Sequence, residues 1–283
     1  MVRFGIKTTP QHTSWDDMLA VWKAADDVEL FESAWNFDHF YPIFSDSTGP
    51  CLEGWTMLAA MAASTSRIRI GCQVTGMVYR HPAVLANMAA TVDVVSGGRL
   101  DLGLGAGWNQ EECDAYGIEL PPLKERFDRF DEGVEAIVRL LSDEVTTFEG
   151  RHVRLTEARC EPKPVQQPCP PVVIGGTGRR RTLRTAARWA DQWNSLPPSP
   201  EVWRELREVL EEHCAREGRD PEEIESSVNV RFDRGAGPGA AAEEAAAWFE
   251  AGVDLVVVGM PAPLDPADVE VVAGALSELA ASD

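Results

Sequence analysis

The stretch VVIGGTGRRRTLRTAARWADQWNS (172–195) contains one complete structural unit. A short apolar run, Val172–Ile174, meets a glycine turn at Gly175, Gly176, Thr177 and Gly178. Arg179–Trp189 then carries helical spacing, and Gln192–Asn194 returns to an extended run. Strand, tight turn, helix and strand make the βαβ unit of a parallel sheet. The same alternation runs outward in both directions. Further strand candidates are Arg3–Ile6, Ser33–Trp35, Ile68–Val74, Leu100–Leu104, Ser227–Arg231 and Leu255–Val258. The helices between and after them are expected at Trp15–Ala25 (capped by Ser14), Gly54–Ala63, Pro82–Val95, Arg126–Leu141, Pro200–Arg216, Gly239–Ala251 and Pro266–Ala280. Pro82 suits a first helical turn, and the glycines after Ser96 suit a stop. Eight strand–helix units in 283 residues predict a single α/β domain, residues 1–283, closed as a (β/α)8 TIM barrel. A doubly wound open sheet is the alternative. The irregular stretch 143–171, FEGRHVRL followed by the proline-rich EPKPVQQPCPPVV, is expected as an insertion with a small hairpin between the fourth helix and the fifth strand.

Composition narrows the function. Hydrophobic residues make up 44% and charged residues 25%, enough apolar material for a core of normal density. The net charge of −20 repels phosphate backbones and argues against a nucleic-acid partner. An anionic cofactor would need a local basic or backbone-amide site. The six cysteines show neither CxxC nor metal-ligand spacing, so no metal is expected and the thiols are expected to be reduced. The N-terminus has no signal-peptide pattern, and no apolar run approaches the ~20 residues of a membrane span. A soluble cytoplasmic protein without a membrane partner is the expectation.

In such a barrel the loops after the strands line the active site, and the unusual residues fall there. They are Thr8-Thr9-Pro10, Asp38-His39, Val74-Thr75-Gly76, Gly105-Ala106-Gly107-Trp108, the GGTG turn, Trp193-Asn194, and Arg231 with Asp233. At GGTG, glycines let backbone approach an anion, while a helix N-terminus offers free N–H groups. Arg179, Arg180, Arg181 and Arg184 add local positive charge, although successive helical residues fan around the axis. A tight βα turn with a solvated arginine face is the plainer reading. Phosphate binding is the one preferred. LDLGLGAGWNQEE (100–112) fails the dinucleotide spacing. Its small residues are expected to leave room for a planar ring, with Trp108, Glu111 and Glu112 along the same pocket. A crowded barrel end that requires glycine is the competing reading. His81, beside Pro82, is expected to be structural.

Together these stretches resemble the luciferase-like monooxygenase superfamily, and within it the branch of oxidoreductases dependent on the deazaflavin coenzyme F420. The resemblance spans nearly the whole chain. It is carried by DHFYP (38–42), EGWTMLAAMAASTSRIRIG (53–71), VTGMVYRHPAVLANMAATVDVVSGGRLDLGLGAGWNQEE (74–112), YGIELPPLKERFDR (116–129), EPKPVQQPCPPVVIGG (161–176) and GRDPEEI (218–224). It implies that Asp38 and His39 lie near the redox-active face of the deazaflavin. It implies a non-proline cis peptide at Gln73–Val74 that buckles the ring, and a ring contact at Thr75. Gly107 and Trp108 fall in the cofactor pocket, and Gly175, Gly176, Thr177 and Gly178 cradle the phosphate. Trp108 stands where some members carry a glutamate proton donor, and Glu111 and Glu112 follow later in the chain. Leu30 stands where the family often has glycine. Related barrels are commonly dimers, so a homodimer is compatible with the resemblance.

The expected activity is hydride transfer between the deazaflavin C5 and a small organic substrate held by Trp35, Phe40, Tyr41 and Trp108. His39 is the acid/base or polarising residue, and Asp38 orients it or holds the cofactor. Three rivals share the architecture. One is an FMN-dependent two-component monooxygenase, and another is a redox-inactive carrier of deazaflavin or flavin. The third is a phosphate-binding barrel lyase or isomerase, for which Lys7 at the end of strand one would be the base.

Overall fold

The computed structural model describes residues 2–281. In chain order it contains β1 (Arg3–Lys7), α1 (Trp15–Asp27), β2 (Phe31–Asn36), α2 (Gly54–Ser64), β3 (Arg69–Cys72), β4 (Thr75–Gly76), α3 (Pro82–Ser96) and β5 (Leu100–Gly105). Next come α4 (Gln110–Tyr116), α5 (Leu123–Ser142), β6 (Thr146–Glu149), β7 (Arg154–Ala158), β8 (Val172–Gly175), α6 (Thr182–Trp189) and β9 (Gln192–Ser195). The chain finishes with α7 (Pro200–Glu217), β10 (Glu225–Arg231), α8 (Pro238–Ala251), β11 (Leu255–Gly259) and α9 (Ala267–Ala281). The parallel strands run β3-β2-β1-β11-β10-β9-β8-β5, and pairing of β3 with β5 closes the barrel. All eight expected barrel strands are present, and β6 and β7 pair as the hairpin of the insertion.

Local sequence explains most element ends. Ser14 accepts from the Asp17 amide, and His81 caps α3 by accepting from the Ala83 amide at 3.2 Å. Gly97, with φ of 70°, ends α3 in the left-handed conformation that glycine adopts without a Cβ clash. Four boundaries differ from expectation. The third strand divides into β3 and β4 around a cis Gln73–Val74 peptide, with Gln73 N–H donating to Asn36 O and Met77 N–H to Gly105 O. Helix α4, capped by Asn109, was not foreseen. Helix α5 starts at Leu123, three residues earlier than its amphipathic period begins. Helix α6 starts at Thr182, so Arg179–Arg181 lie in the preceding turn.

The larger apolar core lies between barrel and helices, and a smaller one fills the barrel with Trp35, Val173, Leu255 and Val257. Trp35 was expected to line the substrate pocket. It is instead 1% exposed, in register with Lys7 and Gly71, and its Nε1 donates to Ser33 Oγ at 3.0 Å. A Cβ on Gly71 would collide with the Trp35 indole and with the Asp101 carbonyl, so glycine there is what admits the large ring.

Candidate active site

At the C-terminal mouth of the barrel lies a cavity of about 450 Å³, within the usual range for small-ligand pockets. Ends of β1, β2, β4, β5, β8 and β9 contribute to its wall, and its lining includes Lys7, Asp38, His39, Gln73, Val74, Gly107, Trp108, Gly175, Gly176 and Thr177. Ten sequence-nominated or strand-end residues thus converge on one space. Four others do not. Thr75 is fully buried beside it and accepts from Trp55 Nε1 at 2.8 Å. Gly178 opens onto the neighbouring surface groove with Arg179–Arg181. Phe40 stacks on Tyr116 (4.9 Å, 27°), and Tyr41 packs edge-on to the same ring at 5.5 Å. Both aromatics therefore clamp α4 to the loop after β2 and leave the cavity wall to others.

Asp38 and His39 face different partners. Arg80 grips Asp38 with two hydrogen bonds, 2.6 and 3.0 Å, and also donates to Glu53. Burial pushes the Asp38 carboxyl up, against the pull of Arg80. His39 is turned toward Glu112, whose Oε2 lies 3.2 Å from its Nδ1. Glu112 is fully buried and also accepts from the Phe40 N–H at 3.0 Å and the Tyr41 N–H at 3.4 Å. Burial alone would raise the Glu112 carboxyl. Hydrogen bonds from His39, Tyr79 and the Phe40 amide outweigh it and hold the group below its ordinary value. An ionised carboxylate only accepts, so it fixes the proton of His39 on Nδ1 and leaves Nε2 for chemistry in the cavity.

Glu112 is the residue sequence reasoning placed too late in the chain. A signal existed: Asn109 three residues ahead of a glutamate is the spacing of a capping box and announces a helix start. Helix α4 then brings the third helical residue back toward β2. Glu111, its neighbour, is exposed. Trp108 is half exposed, stacked on Phe44 (5.6 Å, 8°) and edge-on to His39 at 5.5 Å.

The glycines have a more definite purpose than room for a ring. Built Cβ atoms on Gly105 and Gly175 would each come within 2.8 Å of the Val74 methyls, and one on Gly103 would collide with the Cys72 carbonyl. The small residues of β5 and β8 therefore accommodate the inward bulge at Gln73–Val74. Gly176, with φ of 124°, donates to Asn194 O at 2.9 Å. Among the described residues the amides of Thr177 and Gly178 have no partner, which suits an anion cradle. Three of the four arginines do not add to it: Arg179 pairs with Glu205, Arg181 with Asp128 and Asp131, and Arg184 with Asp131, while the exposed Arg180 lies in the surface groove beside Gly178.

A closed parallel barrel with a polar-lined cavity at the C-terminal ends of its strands is the architecture of the (β/α)8 enzymes. Comparison narrows the class: the chain belongs to the luciferase-like monooxygenase family, whose model matches residues 1–282. An uncharacterized protein of Mycobacterium tuberculosis is 34% identical over 74% of this chain and 70% of its own. The F420-dependent glucose-6-phosphate dehydrogenase of Microbacterium testaceum is 30% identical over 81% of this chain and 68% of its own. The fold is shared with an F420-dependent secondary alcohol dehydrogenase in complex with an F420–acetone adduct (TM-score 0.87, 20% identity, 98% of each chain). It is also shared with the F420-dependent tetrahydromethanopterin reductase of Methanopyrus kandleri (TM-score 0.82, 22% identity, 98% of this chain and 99% of that one).

Proposed function

We propose that the protein is an F420-dependent oxidoreductase that moves a hydride between the deazaflavin C5 and an uncharged alcohol or carbonyl compound. The observation that carries this reading is the buried Glu112–His39 pair, 3.2 Å apart at the wall of the cavity. F420-dependent relatives at 30% identity support the cofactor. So does the fit of the residues: a cavity of about 450 Å³, free amides at Thr177 and Gly178, and a buried Gln73 side chain without a partner.

When bound, the deazaflavin supplies a two-electron hydride acceptor and donor at C5. The free Thr177 and Gly178 amides, in the turn opened by Gly175 and Gly176, would hold its phosphate, while Gln73, Val74, Gly107 and Trp108 would bound the ring. Asp38, locked by Arg80, fixes the loop from which His39 projects. With its Nδ1 proton held by Glu112, His39 takes the substrate hydroxyl proton at Nε2 and returns it in the reverse direction. Ile43, Phe44, Trp108 and Leu196 line the cavity with apolar surface, which favours an uncharged substrate. A sugar phosphate would require a cation, and Lys7 is the lone lysine or arginine among the lining residues.

Titration of the purified protein with F420 and with FMN, followed by anaerobic screening of alcohols, tests the reading. F420 binding and its reduction by a secondary alcohol are expected. Tight FMN binding with oxygen consumption would replace this reading with a monooxygenase, and F420 binding without turnover on any alcohol or ketone would replace it with a carrier.

A further inference from the structure

Lys7 ends β1, and its ammonium lines the cavity, donating to the Gln73 carbonyl at 3.0 Å. Among the described residues no carboxylate pairs with it. Gln73 is 5% exposed, lines the same wall, and neither Oε1 nor Nε2 of its side chain has a partner. Native proteins rarely leave a buried amide unanswered. One amide offering a donor and an acceptor, beside one unpaired cation, is complementary to an imide edge on which negative charge can develop. A lone phenolic oxygen would answer only half of it.

We propose that Lys7 and Gln73 form the subsite for the imide edge of the ring cofactor, and that Lys7 favours its reduced, anionic form over the oxidised form. This rests on the reading that a ring cofactor occupies the cavity; deazaflavin and FMN both present such an edge. The charge balance is explicit. Breaking the substrate C–H bond and forming the ring C5–H bond transfers two electrons with one hydrogen nucleus. The ring gains one negative charge, spread over N1 and O2, and the hydroxyl proton of the substrate goes to His39. The Lys7 ammonium offsets the charge with no proton of its own moving. Desolvation pushes this ammonium down to about 8, and the ionisable neighbour that acts on it, the Cys72 thiol, is itself pushed up by burial and so kept protonated, as expected for a cation awaiting a counter-charge.

Dissociation constants for oxidised and reduced F420, and the midpoint potential of the bound cofactor, provide the test, with FMN measured in parallel. Wild-type protein is expected to bind the reduced form at least tenfold more tightly, a rise of about 30 mV for a two-electron couple. In Lys7→Met that ratio collapses toward one. In Gln73→Leu both forms weaken together and the ratio survives. Wild-type protein that binds the two forms equally, or a Lys7→Met protein that keeps the preference, overturns the proposal, and the wild-type arm needs no variant to fold. Binding of FMN in place of F420 would defeat the F420 reading while leaving this subsite to be judged on the FMN ratio.

Discussion

The carboxylate of Glu112 meets Nδ1 of His39 at 3.2 Å across 73 positions of sequence. Asp38, the carboxylate adjacent to His39 in the chain, is turned to Arg80 instead. Charge-neutral Glu112→Gln should therefore lower kcat by roughly 10²–10⁴-fold, the usual worth of a positioned acid–base group, while F420 affinity stays within threefold. Steady-state kinetics with a binding titration would check it. A Glu112→Gln enzyme at the wild-type rate would remove Glu112 from the mechanism.

His39→Ala should show a loss of similar size, and the double variant should be no slower than His39→Ala alone. Residues that act as one unit give non-additive losses. Additive losses would mean that Glu112 acts elsewhere than through the imidazole.

Arg80 holds two carboxylates, Asp38 and Glu53, with Asp38 fully buried. Removing the cation leaves an unpaired buried charge, so Arg80→Met should cost about 3–5 kcal/mol in urea denaturation. The loss should be smaller at pH 5 than at pH 8. Burial already raises the Asp38 carboxyl, and without Arg80 it takes up a proton earlier and escapes the penalty. A loss independent of pH would point to packing and not charge.

Two glycines should respond oppositely to alanine. Gly103→Ala drives a methyl into the Cys72 carbonyl and the Val74 side chain and is expected to be destabilising by about 1–3 kcal/mol, with weaker cofactor binding. Gly239 lies in α8 with open space around it, so Gly239→Ala should be stabilising by about 0.5–1 kcal/mol. Thermal unfolding of both variants measures this.

Lys7 makes the stability of the cofactor-free protein depend on pH. Its ammonium is pushed from its ordinary value of 10.5 down to about 8, so the unfolded chain binds more protons between those values, and stability rises with pH across that window. Below about pH 8 the burial penalty is present in full. Lys7→Met should therefore raise the melting temperature of the cofactor-free protein at pH 7, with a diminishing advantage as pH climbs toward 10. An advantage that is constant with pH would show that shape, and not charge, was relieved.

The eight strand–helix units and their order were legible in the sequence because periods of 2.0 and 3.6, proline starts and glycine stops are local properties. The GGTG turn and the approximate position of the site followed from the same local rules, since strand ends in such a barrel share one face. Motif likeness supplied the family. Closure of the barrel decided the rest, because it sets which side chains meet across long separations. It turned Trp35 inward as filler, sent Phe40 and Tyr41 to α4, and paired Arg179, Arg181 and Arg184 with Glu205, Asp128 and Asp131. Strand ends already put Lys7 and Gln73 at the mouth, but only closure gave Glu112 to His39 and set the Lys7 ammonium on the Gln73 carbonyl, since both contacts join residues more than sixty positions apart.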